Sequence, residues 1–201
     1  MAAHLIVLRH GNTFEAGEPS RYVGARTDLP LTAFGHTQAV EAGSRLKDRG
    51  LTPVAAHTSP LRRTKETAMG ALSVFDAPVP LKVDMRLREV DYGPDEDMPD
   101  ADVKARLGDA LNQWHEDATL PPGWSLDIGS VRAVLQQAAN DAIKEDAPVL
   151  LVTHGGIARF VRDLLPDPSQ LARDFSLKLG TGKLAILQYD GDHWTILDWN
   201  A

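Results

Sequence analysis

Val149-Leu150-Leu151-Val152-Thr153-His154-Gly155-Gly156 is the stretch that decides the fold. A short run of apolar and β-branched residues, with no helical spacing in it, predicts a strand buried on both faces. The abrupt change to a histidine and two glycines predicts that its carboxyl end opens into a polar turn. Residues 5–8, Leu-Ile-Val-Leu, repeat the pattern and stop at Arg9-His10-Gly11. Two buried strands therefore end in histidines, at His10 and His154.

Working outward, helices alternate with further strands. Thr32 caps a helix whose apolar residues are Ala39, Gly43 and Leu46 and which Gly50 closes. Residues 54–57 form a second strand, followed by Ser59-Pro60 as an N-cap with proline at the first helical position, and Leu61, Ala68 and Leu72 on one face. Residues 79–83 read as a third strand. Residues 85–126 are an acidic, proline-containing insertion with one amphipathic helix, read from Val103, Leu107, Leu111 and Trp114, and a loop at Leu120-Pro121-Pro122-Gly123-Trp124. Ile128, Val131, Leu135, Ala138 and Ala142 mark the next helix, and Ile157, Val161 and Leu164 another, stopped by Pro166. Residues 183–189 and 194–199, joined through Asp190-Gly191-Asp192, predict a terminal hairpin. This alternation predicts an α/β fold: a three-layer α/β/α sandwich around a mainly parallel sheet. The expected organisation is a single domain over residues 1–201 with a cap-like insertion at about 85–126. Ligands of such sheets sit beyond the carboxyl ends of the strands, where His10 and His154 gather.

Bulk properties narrow the function. The chain has 201 residues, 43% hydrophobic and 24% charged, as an ordinary globular domain does. It has no cysteine, which excludes disulfides and thiolate metal sites. The N-terminus lacks the basic and long apolar regions of a secretory signal, and no apolar run approaches the roughly 20 residues of a membrane span. The expected location is cytoplasmic, with no membrane partner. The net charge of −7 comes without a Lys/Arg block, so no nucleic-acid partner is expected. An acidic protein that binds an anion must concentrate positive charge locally.

Four segments build such a pocket. In Arg9-His10-Gly11-Asn12-Thr13, an imidazole is a competent phosphorus nucleophile when one nitrogen is free and the other is held. Arg9 offers a permanent planar cation. Alone, the pair also fits a surface strand end. Ser59-Pro60-Leu61-Arg62-Arg63-Thr64 puts two arginines in the first turn of a helix, where the dipole favours an anion. Successive helical residues diverge by about 100°, so one arginine enters the pocket and the other stays in solvent. In Val152-Thr153-His154-Gly155-Gly156-Ile157 the histidine is placed to donate to a phosphoryl oxygen, or else marks a tight strand-to-helix turn. In Leu87-Arg88-Glu89-Val90-Asp91-Tyr92-Gly93, Glu89 can move a proton to a leaving oxygen. The acidic residues Asp95, Glu96, Asp97, Asp100 and Asp102 lack the spacing of a calcium loop and read as a solvated face, and no metal ligand set is found. Trp124 is placed to cover a substrate.

Arg-His-Gly-x-Thr, Leu29-Pro30-Leu31-Thr32-x-x-Gly35, Ser-x-Leu-x-Arg, Leu-x-Glu-x-x-x-Gly and Thr-His-Gly-Gly occur in one order over about residues 5–160. The set resembles the histidine phosphatase superfamily, also called the phosphoglycerate mutase-like family. The resemblance implies a phosphoglycerate mutase-like fold and hydrolysis of a phosphomonoester through a phosphohistidine on His10. It implies phosphoryl binding by Arg9, Arg63 and His154, proton donation by Glu89, and no cofactor or metal. Asn12, Thr13 and Gly155 fall within the motifs as further phosphate contacts, with Arg62 as a backup. A phosphorylated small molecule is the expected partner; the oligomeric state is left open. Two departures bear on substrate. Ala16 stands where many members carry asparagine, and Gly93-Pro94-Asp95-Glu96-Asp97 replaces Gly-x-Trp-Glu-Gly. A cofactor-dependent phosphoglycerate mutase, a phosphohistidine protein phosphatase and a non-catalytic phosphate-binding module remain alternatives.

Overall fold

The computed structural model describes residues 3–201. In chain order the elements are β1 (His4–Arg9), α1 (Ala33–Asp48), β2 (Ala55–Thr58), α2 (Arg62–Leu72), β3 (Leu81–Val83), α3 (Asp100–Leu107), α4 (Asp109–Asp117), α5 (Ile128–Glu145), β4 (Pro148–Thr153), α6 (Gly155–Ala158), α7 (Ser169–Asp174), β5 (Leu184–Tyr189) and β6 (Trp194–Trp199). The sheet runs β3-β2-β4-β1-β5-β6. Its β3, β2, β4 and β1 are mutually parallel, and β5 and β6 add the expected antiparallel hairpin.

Strand alternation divides the core into two layers. Ile6 and Leu8 of β1, with Leu150 and Val152 of β4, face α1 and α2 through Ala42, Leu46, Ala68 and Ala71. Leu5 and Val7, with Val149 and Leu151, face α5 through Val131, Leu135 and Ala138. The three-layer sandwich follows from that two-sided burial. β1 and β4 are aligned so that Arg9 lies opposite Thr153. The next residue of each strand is a histidine, and register alone brings His10 and His154 together.

Thr32 caps α1 as expected, its hydroxyl accepting from Gly35 N at 3.0 Å. Four readings are corrected. First, α2 begins at Arg62, so Ser59 and Pro60 precede the helix; the Ser59 hydroxyl meets Leu61 N at 3.3 Å, but Leu61 holds the cap position. Second, the insertion helix is two helices. Gly108, at φ 49° and ψ −122°, breaks the chain between α3 and α4, a conformation that glycine adopts without strain. Third, after His154 the chain makes one short α turn and then a tighter 3₁₀ stretch, Arg159–Leu164. Fourth, two strands differ in extent: β2 runs one residue later than expected, over Ala55–Thr58 with His57 inside it, and β3 is only Leu81–Val83.

The acidic segment is the larger surprise. Asp95 is 2% exposed, taking hydrogen bonds from Arg106 Nε at 2.5 Å and Trp124 Nε1 at 2.6 Å. Glu96 accepts from Gly24 N and Arg26 N, both at 3.1 Å, and from Thr27 Oγ1 at 2.8 Å. These two carboxylates are structural anchors, not a solvated face. Trp124 is buried among Tyr22, Tyr92 and Trp114, which removes it as a substrate cover. Leu87, Val90, Val103, Leu107, Leu111 and Trp114 of the insertion all join the α5-side core.

Candidate active site

Beyond the carboxyl ends of β1 and β4, the His10 and His154 ring centroids lie 5.2 Å apart at 61°. Both side chains are buried. His10 Nδ1 stands 2.8 Å from its neighbour's carbonyl, Gly11 O. A carbonyl only accepts, so Nδ1 carries the hydrogen and, in the neutral ring, Nε2 keeps its lone pair. Burial, then the charges of Arg63 and Arg9, push the His10 pKa well below its usual value. The ring is therefore neutral near pH 7. Gly11 is required by close approach: a Cβ there would lie 2.4 Å from Gly35 O, where α1 abuts the loop. Its backbone N–H donates to Thr67 Oγ1 of α2 at 3.0 Å, tying the loop to the helix that carries Arg63.

Arg63 is fully buried on α2. Its Nη groups donate to Thr27 O at 2.7 Å, Gly24 O at 3.0 Å and Val23 O at 3.3 Å, while Nε has no partner. Arg9 donates through Nη1 to Leu179 O at 2.7 Å and likewise leaves Nε free. Burial lowers both arginine pKa values, with Glu89 opposing the shift, but an arginine stays charged. Gly155 lies against Arg9: a Cβ there would come 3.1 Å from the guanidinium carbon.

Glu89 is buried and held by Val90 N at 3.0 Å and Gly156 N at 3.3 Å. Burial raises its pKa, against those N–H groups and the two arginines. Position 156 must be glycine, because a Cβ would fall 2.3 Å from Glu89 Oε1. His154 contacts Ser59 Oγ through Nε2 at 2.8 Å, and its Nδ1 has no partner. Burial, followed by Arg63, His10 and Arg9, depresses its pKa strongly.

Thus Arg9, His10, Arg63, Glu89 and His154 converge, and Gly155 borders them. Asn12 and Thr13 sit half-buried on the loop. The Asn12 side-chain oxygen is taken by the Thr181 hydroxyl and its backbone N–H by Gln38 Oε1 at 2.8 Å, so Asn12 braces the loop. Arg62 is not brought in. Its side chain is exposed and pairs with Glu66 one turn on, at 2.5 Å. Three residues escaped the sequence reading. Ser59 signalled only a cap, although it heads the Ser-x-Leu-x-Arg motif. Glu96 fastens the 24–27 loop whose carbonyls hold Arg63. Arg159, an arginine in the apolar run Ile157-Ala158-Arg159-Phe160-Val161, stacks 3.9 Å over Trp114 with its pKa pushed by burial down to about 10.

A separate cleft lies away from this cup. That cleft, of about 580 Å³, is lined by Arg132, Gln136, Phe160, Asp163, Leu164 and Pro168, and holds none of the motif residues. Among the described residues no group of three or more His, Cys, Asp or Glu could hold a metal ion, and no helix is long and apolar enough to cross a membrane.

Comparison with known proteins adds independent weight. The model of the histidine phosphatase superfamily (branch 1) matches residues 5–201. A glucosyl-3-phosphoglycerate phosphatase of Mycolicibacterium vanbaalenii is 33% identical over 221 residues, covering 98% of this chain and 94% of its own. A 2,3-bisphosphoglycerate-dependent phosphoglycerate mutase of Chelativorans is 33% identical over 170 residues, 79% of each chain. The solved structure of a mycobacterial glucosyl-3-phosphoglycerate phosphatase in complex with VO3 superposes with a TM-score of 0.80 at 29% identity, covering 100% of both chains.

Proposed function

The chain belongs to the histidine phosphatase superfamily and is an enzyme of the phosphatase kind; from that premise we propose that His10 carries the phosphoryl group in hydrolysis of a phosphorylated small molecule. His10 Nε2 attacks phosphorus while the Gly11 carbonyl holds the Nδ1–H that the phosphorylated ring must keep. The P–O bond to the leaving alcohol breaks, and Glu89 in its acid form protonates that oxygen. Water then attacks phosphorus, the Glu89 carboxylate takes its proton, and the P–N bond breaks with its electron pair returning to Nε2. Orthophosphate leaves and the starting protonation is restored. Phosphoryl transfer depends largely on positioning and cationic stabilisation. Arg9 Nε, Arg63 Nε and His154 supply the stabilising groups for the equatorial oxygens.

The observation that carries this reading is the juxtaposition of His10, its Nδ1 engaged by a carbonyl, with two buried arginines whose Nε atoms have no partner in the chain. Wild type should release phosphate from an aryl phosphate and yield an acid-labile phosphohistidine on rapid quench. His10→Ala should lose both, with a rate drop of at least about 10³-fold. Equal rates in the two proteins would remove His10 as the carrier of the phosphoryl group. For substrate, the relatives make glucosyl-3-phosphoglycerate the first compound to test. The mutase relative calls for a parallel assay, since interconversion of phosphoglycerates without phosphate release would favour that activity instead.

A further inference from the structure

His154 touches its surroundings through one imidazole nitrogen, Nε2, at 2.8 Å from Ser59 Oγ, and its Nδ1 is buried without a partner. A histidine that must donate to a phosphoryl oxygen has to carry its hydrogen on the nitrogen facing the site. A neutral imidazole carries one hydrogen, so something must decide which nitrogen has it. We infer that Ser59 is a positioning residue that fixes His154 as the Nδ1–H tautomer by donating its hydroxyl hydrogen to Nε2. The consequence for turnover rests on the phosphatase reading; the hydrogen-bond argument does not.

The argument is a count of donors and acceptors around one oxygen. Ser59 is fully buried, and its Oγ meets the Leu61 N–H at 3.3 Å, which can only donate, and His154 Nε2. If Nε2 also donated, Oγ would accept twice and its own hydrogen would be left without an acceptor among the partners it meets. Leaving a buried hydroxyl hydrogen unpaired is costly. It would also leave a bare lone pair on the buried Nδ1, which could then not donate to a phosphoryl oxygen. With the hydroxyl donating to Nε2, Oγ gives once and accepts once, and Nδ1–H becomes a donor waiting for the ligand. Burial and the nearby cations keep the ring neutral, so the choice of tautomer is a real one. The Ser59 backbone is itself clamped: its carbonyl accepts from Thr64 Oγ1 at 3.0 Å and Thr58 Oγ1 at 3.3 Å, and its N–H donates to Val152 O at 3.2 Å. Thus the first residue of Ser-x-Leu-x-Arg serves His154 while the last serves the phosphate.

The test is long-range proton–nitrogen NMR of ¹⁵N-histidine-labelled protein near neutral pH, with the His154 signals assigned by their loss in His154→Gln. The expected resting pattern is a protonated Nδ1 and an unprotonated Nε2. Ser59→Ala should shift this toward the other tautomer and lower kcat/KM for an aryl phosphate about tenfold, whereas Ser59→Thr, which keeps a hydroxyl, should retain the wild-type pattern and rate. A wild-type His154 protonated at Nε2 overturns the inference, as does a folded Ser59→Ala protein with unchanged tautomer. If Ser59→Ala does not fold, the wild-type spectrum decides. A wild type that turns over no phosphomonoester would sink the phosphatase reading and leave the tautomer result standing.

Discussion

The molecule buries charge in two places and treats it in opposite ways. Around the buried Asp95 and the half-buried Glu96 each carboxylate is spent inside the chain: Asp95 on Arg106 and Trp124, Glu96 on Gly24, Arg26 and Thr27. At the ends of β1 and β4 the charges are also buried, yet Arg9 Nε, Arg63 Nε and His154 Nδ1 are left open. An unsatisfied buried polar group is expensive, and in the proposed reading a phosphoryl group supplies the missing bonds. Convergence is what counts. Arg159 Nε is equally unpartnered, but its guanidinium is committed to the Trp114 ring and carbonyl. The two regions are joined in series, since Glu96 holds the loop whose carbonyls aim Arg63.

The sharpest way to break the contrast is at neighbouring arginines. Arg63→Met should lower kcat/KM for an aryl phosphate by about 10²- to 10³-fold, the usual cost of a lost transition-state donor, while Arg62→Met changes it less than about twofold because that side chain is solvated beside Glu66. Thermal melts of both proteins check that Arg63→Met is folded. Equal losses would mean that the cup is not where Arg63 acts. Next in size, Glu89→Gln should slow poor leaving groups by about 10²-fold and good ones far less, as expected for a proton donor. A plot of rate against leaving-group pKa that stays parallel to wild type would contradict the role.

On the other side of the comparison, Asp95→Ala should cost stability and spare chemistry. It removes the acceptor of Arg106 and leaves Trp124 Nε1 buried without a partner. Because Arg106 is partly exposed, the expected loss is about 2 kcal/mol, measured by urea unfolding. The rate per folded molecule should be unchanged within about threefold. A large kcat defect in a stable Asp95→Ala protein would merge the two regions into one functional unit.

What the sequence made legible, and what it hid, follows the same division. His10, His154 and their strands were readable because the signal is local: an apolar run that stops at a polar residue. Arg63 was separable from Arg62 by helical angle and motif register. The Asp95 and Glu96 anchors were invisible, since Glu96 meets residues some 70 positions earlier and only the tertiary fold makes those pairs. The α3–α4 break escaped for a different reason. Both helices keep Val103, Leu107, Leu111 and Trp114 on the core side, so the apolar pattern runs straight through the kink at Gly108. Ser59 was read along the chain as a cap, while its partner His154 stands at the end of the neighbouring strand β4, far along the sequence.

Acid separates the two regions by pH window, through differences in slope between variants and wild type. His10 and His154 have folded-state pKa values depressed by burial and nearby arginines. Below the ordinary value of 6.5, the unfolded chain takes up protons that the folded chain refuses. The stability they contribute is therefore present above that value and is lost as the pH falls, by up to about 1.4 kcal/mol per pH unit for each histidine. Asp95 differs. Burial pushes its pKa up, but the bonds from Arg106 and Trp124 outweigh this and hold it below the ordinary 3.8. Its contribution persists above that value and is lost only as pH falls through the lower, folded one. Glu89, with its pKa raised by burial, works against the histidines: it favours the folded state at low pH and gives that up as pH rises through its raised value. Acidification from neutral pH should thus erode stability first through the cup and only later through the anchors. Urea unfolding at stepped pH should give His10→Gln a shallower decline than wild type just below 6.5, and Asp95→Ala a decline parallel to wild type there. Parallel slopes for wild type and His10→Gln would show that the His10 ring takes up protons as freely in the folded chain as in the unfolded one, and would remove burial as the cause that keeps the nucleophile neutral in mild acid.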